Sequence, residues 1–167
     1  LPVDKYSSDH FIVMATANGT IKKTLLSYYS KPRTVGLRAV DLVGDDTLIG
    51  TAVVDGTKDI MLFSSEGKAV RFDEKDVRAT GRVSKGVRGM RLPPGHTVIS
   101  MVIPESDGYL LTVSQNGFGK RTPTAEYPTK GRGGKGMKAM QASDRNGPLI
   151  GAAQIFSGEQ VILISDQ

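Results

Sequence analysis

The chain has 167 residues, of which 38% are hydrophobic and 23% are charged, and its formal net charge is +5. This composition is that of a globular domain with a sizeable core, and it excludes a disordered tail. The chain has no cysteine and two histidines, which excludes a disulfide framework and Cys/His zinc sites and fits a cytoplasmic protein. No apolar run approaches the roughly 20 residues that cross a bilayer, so we expect a soluble protein without a membrane partner.

The first predicted elements are short strands. Four apolar segments are rich in β-branched and aromatic residues and are bounded by turn residues, a pattern typical of buried strands. They are FIVMA (11–15), IMLF (60–63), YLLTV (109–113) and VILI (161–164). A polar pair and a glycine follow the first three segments, which predicts hairpin turns with a positive φ at Gly19, Gly67 and Gly117.

These turns belong to a repeat of about 50 residues. The turn glycines are spaced by 48 and 50 residues, and a second set, Gly36, Gly86 and Gly136, is spaced by 50 and 50. A further apolar segment recurs as TLIGTAVV, TVISMVI and PLIGAAQI, and no convincing helix pattern occurs in the repeat. Fixed-period similarity of this length indicates a propeller or solenoid, so the predicted fold class is all-β.

The repeat defines the expected domain organisation. We expect a single repeat domain over residues 1–167, with a first unit at 11–58, a second at 59–108 and a third at 109–159. Residues 160–167 are expected to start a further unit. Because both ends of the sequence resemble parts of the repeat, we expect about three units of a longer array.

The charges are strongly segregated along the chain. Three basic windows, at 20–38, 68–91 and 118–138, hold 19 of the 22 cations but only 4 of the 17 acidic residues. Their net charge is +15, against −10 for the rest of the chain. Because the windows occupy equivalent places in the units, stacked units should align their cations into a basic stripe that binds a polyanion.

Sixteen cations of these windows are candidate duplex-DNA contacts. They are Lys22, Lys23, Arg33, Arg38, Lys68, Arg71, Arg82, Lys85, Arg88, Arg91, Lys120, Arg121, Lys130, Arg132, Lys135 and Lys138. Tyr28, Tyr29 and Tyr127 could also touch a sugar or a phosphate. The segment KGRGGKG (130–136) has glycines that would let its backbone amides approach phosphate oxygens. Such contacts read no base, so binding should be indifferent to DNA sequence.

Several motifs resemble one known family. MATANGTIKKT, LFSSEGKAVRF, GVRGMRL, QNGFGKRT and AEYPTKGRGGKG occur in order and are similar to the C-terminal domain of the A subunit of bacterial DNA gyrase. The resemblance covers essentially the whole chain. One departure is that KGRGGKG matches five of seven positions of the family's Q-R-R-G-G-K-G box and lies in the third unit, whereas the family's box belongs to the first blade.

The resemblance implies a fold and a function. The fold would be a β-pinwheel, a propeller-like disc of four-stranded blades that exchange a strand with their neighbours and wrap duplex DNA around a basic rim. The domain would serve an ATP-dependent type II topoisomerase that introduces negative supercoils. It would carry no catalytic residue, metal or cofactor of its own, since ATP and Mg act elsewhere in the enzyme. The implied partners are the remainder of the gyrase A subunit together with the gyrase B subunit, in an A2B2 assembly.

Two alternatives remain open from the sequence. The first is the related C-terminal domain of the topoisomerase IV C subunit, which guides DNA rather than wrapping it tightly, and the regular GVRGMRL and GKGMKAM repeats favour gyrase over it. The second is a propeller that binds proteins through its face. The scarcity of acidic residues in the basic windows argues against that second function.

Overall fold

The computed structural model describes residues 1–164, and its regular structure consists of short strands and 3-10 helices. Among the described residues there are two four-stranded antiparallel sheets, one three-stranded sheet and no α-helix. The strands are β1 (Phe11–Thr16), β2 (Thr20–Leu25), β3 (Leu48–Val54), β4 (Asp59–Ser64), β5 (Lys68–Asp73), β6 (Val87–Arg88), β7 (Val98–Val102), β8 (Tyr109–Ser114), β9 (Gly119–Pro123), β10 (Met137–Lys138) and β11 (Leu149–Ile155). Short 3-10 helices follow β2, β5 and β9, at Leu26–Tyr29, Glu74–Asp76 and Thr124–Glu126. The all-β prediction is confirmed.

Each unit contains one tight hairpin. β1 pairs with β2, β4 with β5 and β8 with β9, all antiparallel. The turn glycines have φ values of 86° at Gly19, 84° at Gly67 and 82° at Gly117. This left-handed region is strained for residues with a Cβ, which explains why a glycine stands at each turn. The predicted hairpins and their positive φ values are confirmed.

The sheets exchange strands between units. β6 belongs to the second unit by sequence but pairs with β2 of the first, with Arg88 opposite Thr20. In the same way β10 of the third unit pairs with β5 of the second, with Lys138 opposite Lys68. The strand orders are therefore β3-β1-β2-β6, β10-β5-β4-β7 and β11-β8-β9. The exchange that the resemblance implies is present twice.

The sheets have an inner and an outer edge. β3 contacts β7, and β7 contacts β11, so the recurring apolar segment of each unit lines the side on which neighbouring sheets meet. β6 and β10 form the opposite edges of the first two sheets. We call the side that carries β6 and β10 the outer edge. This order brings the second halves of the second and third basic windows to the outside.

The apolar run of β4 is explained by its place between two cores. Ile60 and Leu62 pack in one hydrophobic cluster, and Met61 and Phe63 pack in the other. Successive strand residues point to opposite faces, so a strand covered on both faces is a continuous apolar run. Each such side chain contributes about 1.5–3 kcal/mol by leaving water. The β4 strand therefore joins the units through its two faces.

The prediction of a fourth buried strand is wrong for the described part of the chain. Residues 161–164 form no strand, and all four side chains are exposed. Their counterparts in the second unit are buried because β5, β7 and the neighbouring sheet cover them. Nothing in the described structure covers residues 161–164 in that way. Residues 165–167 of the expected further unit lie outside the described residues.

Candidate nucleic-acid interface

The structure exposes most of the predicted DNA contacts. Ten of the sixteen are exposed, four are partly buried and two are buried. The exposed ones are Arg33, Arg38, Lys85, Arg88, Arg91, Lys120, Arg121, Lys130, Lys135 and Lys138. The partly buried ones are Lys68, Arg71, Arg82 and Arg132, and the buried ones are Lys22 and Lys23. Lys31, Lys75 and Arg78 of the basic windows are also exposed, although they are not among the sixteen candidates.

The outer edge brings cations of different units together. Arg88 on β6 and Lys138 on β10 occupy equivalent positions, and both are exposed. The loop after β6 is tied to the segment before β10, since the Arg91 amide donates to the Gly134 carbonyl at 2.9 Å. Each of these cations therefore has a fixed backbone position on one side of the molecule. A fixed row of exposed cations is suited to a regularly spaced polyanion.

Three cations converge at one cavity of the outer edge. Lys68, Arg91 and Lys135 line a cavity of about 290 Å³ together with Glu66. The Glu66 carboxylate lies 2.9 Å from the Lys68 ammonium and offsets part of this charge. A net positive cavity that opens to solvent can accept one phosphate group. The cavity joins the second and third units, which contribute these three side chains.

Lys22 is a buried lysine and not a surface residue. Its side chain is 2% exposed, and its ammonium donates to the Ala39 carbonyl at 2.8 Å and to the Arg82 carbonyl. Burial, followed by the charge of Arg82, lowers the pKa of Lys22 to about 8. The prediction that Lys22 contacts DNA is wrong, because the second unit covers this residue.

Lys23 is also buried, with 6% exposure. Its ammonium donates to the Glu74 carbonyl at 2.8 Å and lies 3.6 Å from the carboxylate of the same residue. It lies 4.9 Å from the centre of the Phe11 ring. These contacts hold Lys23 between the first and second units, so it too is removed from the predicted interface.

Arg71 repeats this arrangement one unit later. Its Nε donates to the Asp59 carboxylate at 2.7 Å, and its Nη1 donates to the carbonyls of Thr124 at 3.1 Å and Tyr127 at 3.0 Å. The side chain is 17% exposed. Its guanidinium is therefore occupied by Asp59 of its own unit and by two carbonyls of the third unit. The prediction that Arg71 contacts DNA is wrong, because its guanidinium is engaged inside the fold.

Two of the four glycines in residues 130–136, Gly133 and Gly136, pack against the second unit. A Cβ at Gly136 would lie 2.6 Å from the Ala69 carbonyl oxygen, and the φ of Gly136 is 82°. The Gly133 amide donates to the Gly89 carbonyl at 2.9 Å, so it is not free for phosphate. The expectation that these glycines admit a phosphate is wrong at both positions, because the neighbouring unit occupies that space.

Arg132 is held by the second unit. Its Nε donates to the Asp76 carbonyl at 3.0 Å, and its Nη1 donates to the Arg88 carbonyl. Since two donors of the Arg132 guanidinium are used, this residue fixes the loop and keeps part of its guanidinium toward solvent.

Tyr127 is 3% exposed and packs edge-on against Phe63. The prediction that Tyr127 could touch a sugar or a phosphate is therefore wrong.

None of the helices in the described residues is long and apolar enough to cross a membrane.

The repeats, the exchanged strands and the basic outer edge agree with one family model. The model of the DNA gyrase C-terminal domain, beta-propeller, matches residues 10–55, 58–105 and 108–155. The chain belongs to the DNA gyrase C-terminal domain family. The resemblance drawn from the sequence motifs is confirmed.

Comparisons with individual members agree with the family. The chain is similar to the A subunit of DNA gyrase from Pseudomonas aeruginosa, with 55% identity over 94% of this chain and 17% of that protein. The chain thus spans less than a fifth of that curated relative. Among solved structures it is similar to the C-terminal domain of DNA topoisomerase IV, with a TM-score of 0.86, 26% identity, and coverage of 93% of this chain and 49% of that one. It is also similar to the DNA gyrase A C-terminal domain, with a TM-score of 0.81, 25% identity, and coverage of 92% and 51%.

Proposed function

We propose that this chain binds duplex DNA along its outer edge without sequence preference and bends the duplex around the units. The observation that carries the proposal is the placement of Arg88 and Lys138 on exchanged strands at the outer edges of adjacent sheets. Equivalent positions in successive units make a row of cations rather than an isolated patch. Such a row matches the regular spacing of phosphates along DNA.

The backbone elements that carry these cations support DNA binding without base readout. The exposed candidate cations stand on strands and on loops, and no α-helix is present among residues 1–164 to enter a major groove. Contacts to phosphate position a protein but carry no sequence information. Affinity then depends on charge and on how easily the duplex bends.

We narrow the proposed DNA contacts to thirteen of the sixteen candidate cations. Lys22, Lys23 and Arg71 are excluded because they bind carbonyls or a carboxylate inside the fold. The remaining thirteen are Arg33, Arg38, Lys68, Arg82, Lys85, Arg88, Arg91, Lys120, Arg121, Lys130, Arg132, Lys135 and Lys138. Those nearest to the join of the second and third units, at Arg91 and Lys135, are the strongest candidates because they share a cavity.

In the whole protein, we propose that this chain is an accessory domain of a DNA gyrase A subunit. By bending DNA, the domain would present a crossing of two DNA segments with a defined handedness to the part of the enzyme that breaks DNA. ATP-driven strand passage at that crossing would then introduce negative supercoils. ATP and Mg would act in other parts of an assembly with the gyrase B subunit. The topoisomerase IV alternative shares the fold, but the 55% identity to a gyrase A subunit favours gyrase.

Mobility shift with unrelated duplexes tests this function. Three 40 bp duplexes of different sequence should bind within about threefold of one another, because phosphate contacts carry no base information. The matched variant replaces Arg88, Arg91, Lys135 and Lys138 with Ala and should weaken all three duplexes alike. Failure of the wild-type chain to bind any duplex, or strong preference for one sequence, would contradict the proposal.

A further inference from the structure

The outer edge carries exposed apolar side chains beside its cations. Val87 on β6 and Met137 on β10 hold equivalent positions, and each is 37% exposed. Each stands directly before a cation, Arg88 or Lys138, on its two-residue strand. Phosphate contacts alone give these two side chains no role, because they carry neither a charge nor a hydrogen-bond donor.

Met137 lines a cavity of about 270 Å³ at the outer edge, which we call the Met137 cavity. Ala69, Val70 and Pro128 line it as well, and its lining is mainly apolar. Ala69 is 1% exposed and Val70 is 6% exposed, and both belong to hydrophobic cores of the array. The Met137 cavity is therefore a place where apolar core surface is reached from the outer edge.

Two exposed lysines accompany the apolar lining of the Met137 cavity. Lys130 and Lys135 both line it, and the backbone between them is held by the second unit. The Lys130 amide donates to the Arg71 carbonyl at 2.8 Å, and the Gly134 carbonyl accepts from the Arg91 amide at 2.9 Å. No acidic residue in the described part of the chain lines this cavity, so the charge of the two lysines is not offset there.

The Met137 cavity adjoins the cations assigned to DNA. Lys135 lines it and also lines the cavity of Lys68 and Arg91. Lys138 follows Met137 directly on β10. A polyanion that follows these cations therefore passes the Met137 cavity.

Two glycines leave room at the Met137 cavity. Gly131 and Gly134 line it, and neither has a positive φ. A Cβ built at Gly131 would have no atom within 4 Å, and one at Gly134 would meet only the Gly136 nitrogen, at 3.9 Å. Packing therefore does not require a glycine at either position, in contrast to Gly136. Because a side chain would take up space at the cavity, the two glycines suit a ligand that enters it.

The backbone of DNA alternates anionic groups with apolar ones. Each phosphate is followed by a deoxyribose whose C2′ carries hydrogen alone, whereas the ribose of RNA carries a hydroxyl that donates and accepts hydrogen bonds. A hydroxyl that faces apolar side chains without a partner is unfavourable. An apolar cavity beside two lysines therefore complements a deoxyribose between its phosphates better than it complements a ribose.

We propose that the Met137 cavity receives one deoxyribose of a bound duplex, with Lys130 and Lys135 at the phosphates on its two sides, and that this contact favours DNA over RNA. The inference rests on the proposed function, since a duplex reaches the cavity only when it follows the outer edge. The Met137 side chain is flexible and adapts to an irregular surface. Its contact with the sugar releases no counterion, so it adds affinity without adding to the salt dependence.

Fluorescence anisotropy tests this contact with three duplexes of one base sequence: DNA, RNA, and RNA in which fluorine replaces each 2′-hydroxyl. The fluorinated duplex keeps the A-form helix of RNA but lacks the hydroxyl, so it separates the sugar contact from helix shape. Met137→Gln places a polar side chain of similar size in the cavity, and Met137→Leu keeps the position apolar. Leu48→Gln is the matched control, because Leu48 is 43% exposed and lies on β3, at the opposite edge of its sheet from β6.

The wild-type chain should bind DNA several-fold more tightly than RNA, and the fluorinated duplex should lie between the two. Met137→Gln should lower the ratio of DNA affinity to RNA affinity several-fold and leave the salt slope unchanged. Met137→Leu and Leu48→Gln should keep the wild-type ratio.

Two results would overturn the inference while DNA binding by the wild-type chain stands. One is equal binding of the RNA and fluorinated duplexes by the wild-type chain, a comparison that needs no variant to fold. The other is an unchanged affinity ratio for a Met137→Gln chain whose urea midpoint matches that of wild type. Absence of any duplex binding by the wild-type chain would instead overturn the proposed function, and this inference with it.

Discussion

Lys138 lies directly opposite Lys68 in the antiparallel pair of β10 and β5, so two like charges face each other across the outer edge. Like charges in this position destabilise a sheet by a few tenths to about 1 kcal/mol. The equivalent pair of the first sheet is Arg88 and Thr20, which carries no such cost. Glu66, 2.9 Å from Lys68, relieves part of the repulsion. A DNA phosphate between the two lysines would relieve the rest.

Lys138→Glu is therefore expected to act oppositely on stability and on DNA binding. Replacing the like charge by an opposite one should raise the free energy of unfolding by up to about 1 kcal/mol. The same change should weaken binding to every duplex. Urea denaturation and fluorescence anisotropy measure the two effects, and Arg88→Glu is the control that should weaken binding without stabilising the fold. A Lys138→Glu chain that is less stable than wild type would contradict this account.

The buried ammonium of Lys22 should make stability depend on pH. The pKa of Lys22 falls from 10.5 to about 8 in the fold, so the folded state binds fewer protons than the unfolded state between these values. The free energy of unfolding must then rise with pH across that range. Burial also raises the pKa values of Tyr29 and Tyr127, which lowers stability above pH 10, so the useful window is pH 7.5–9.5.

Lys22→Met removes this titration. Its urea midpoint should change less between pH 7.5 and 9.5 than that of the wild-type chain, whatever its absolute stability. Lys5→Met is the matched control, since Lys5 is exposed and should leave the wild-type slope in place. Equal slopes for wild type and Lys22→Met would show that Lys22 is charged at its ordinary pKa in the fold.

Gly136 should tolerate no side chain. Its φ of 82° and the 2.6 Å from a built Cβ to the Ala69 oxygen predict a loss of at least about 1–3 kcal/mol of stability for Gly136→Ala. Gly131→Ala is the control, because no atom lies within 4 Å of a Cβ there and its φ is not in the left-handed region. Thermal unfolding distinguishes the two. Similar melting temperatures for the two variants would restore a phosphate-binding role for the glycines.

The sequence predicted the local features of the fold and missed features that depend on a neighbouring unit. The turns at Gly19, Gly67 and Gly117 have local signals, and the positive φ values agree. The burial of Lys23 has no local signal, because the Glu74 carbonyl that accepts from it belongs to the next unit.

The expectation for Gly133 and Gly136 is wrong for the same reason. A bare backbone permits close approach, but the sequence does not say whether a phosphate or another part of the chain approaches. In the structure the approaching group at Gly136 is the Ala69 carbonyl. The sequence does carry one signal for burial: Lys23, Arg71 and Arg121 occupy the same position of the repeat, which indicates a common structural role.

DNA bound along the outer edge should be bent. A straight duplex meets only a short part of a curved row of cations, and bending 20–30 bp costs on the order of 1–6 kcal/mol, which several phosphate contacts can offset. Energy transfer between dyes at the ends of a 30 bp duplex should rise on saturation with the wild-type chain. It should rise less with a variant in which Lys130, Lys135 and Lys138 are Ala. Equal transfer at saturation would place the third unit away from the DNA path.

The salt dependence of DNA binding tests the central claim most directly. If about six cations of the outer edge meet phosphates, a plot of log binding constant against log salt concentration has a slope near −5, about 0.9 per contact. Replacing Arg88, Arg91, Lys135 and Lys138 with Ala should reduce the slope by about 3.6. Replacing Lys5, Lys58 and Arg145, the cations outside the basic windows, should leave it unchanged. A wild-type slope near zero, or one that the outer-edge substitutions do not reduce, would contradict the account.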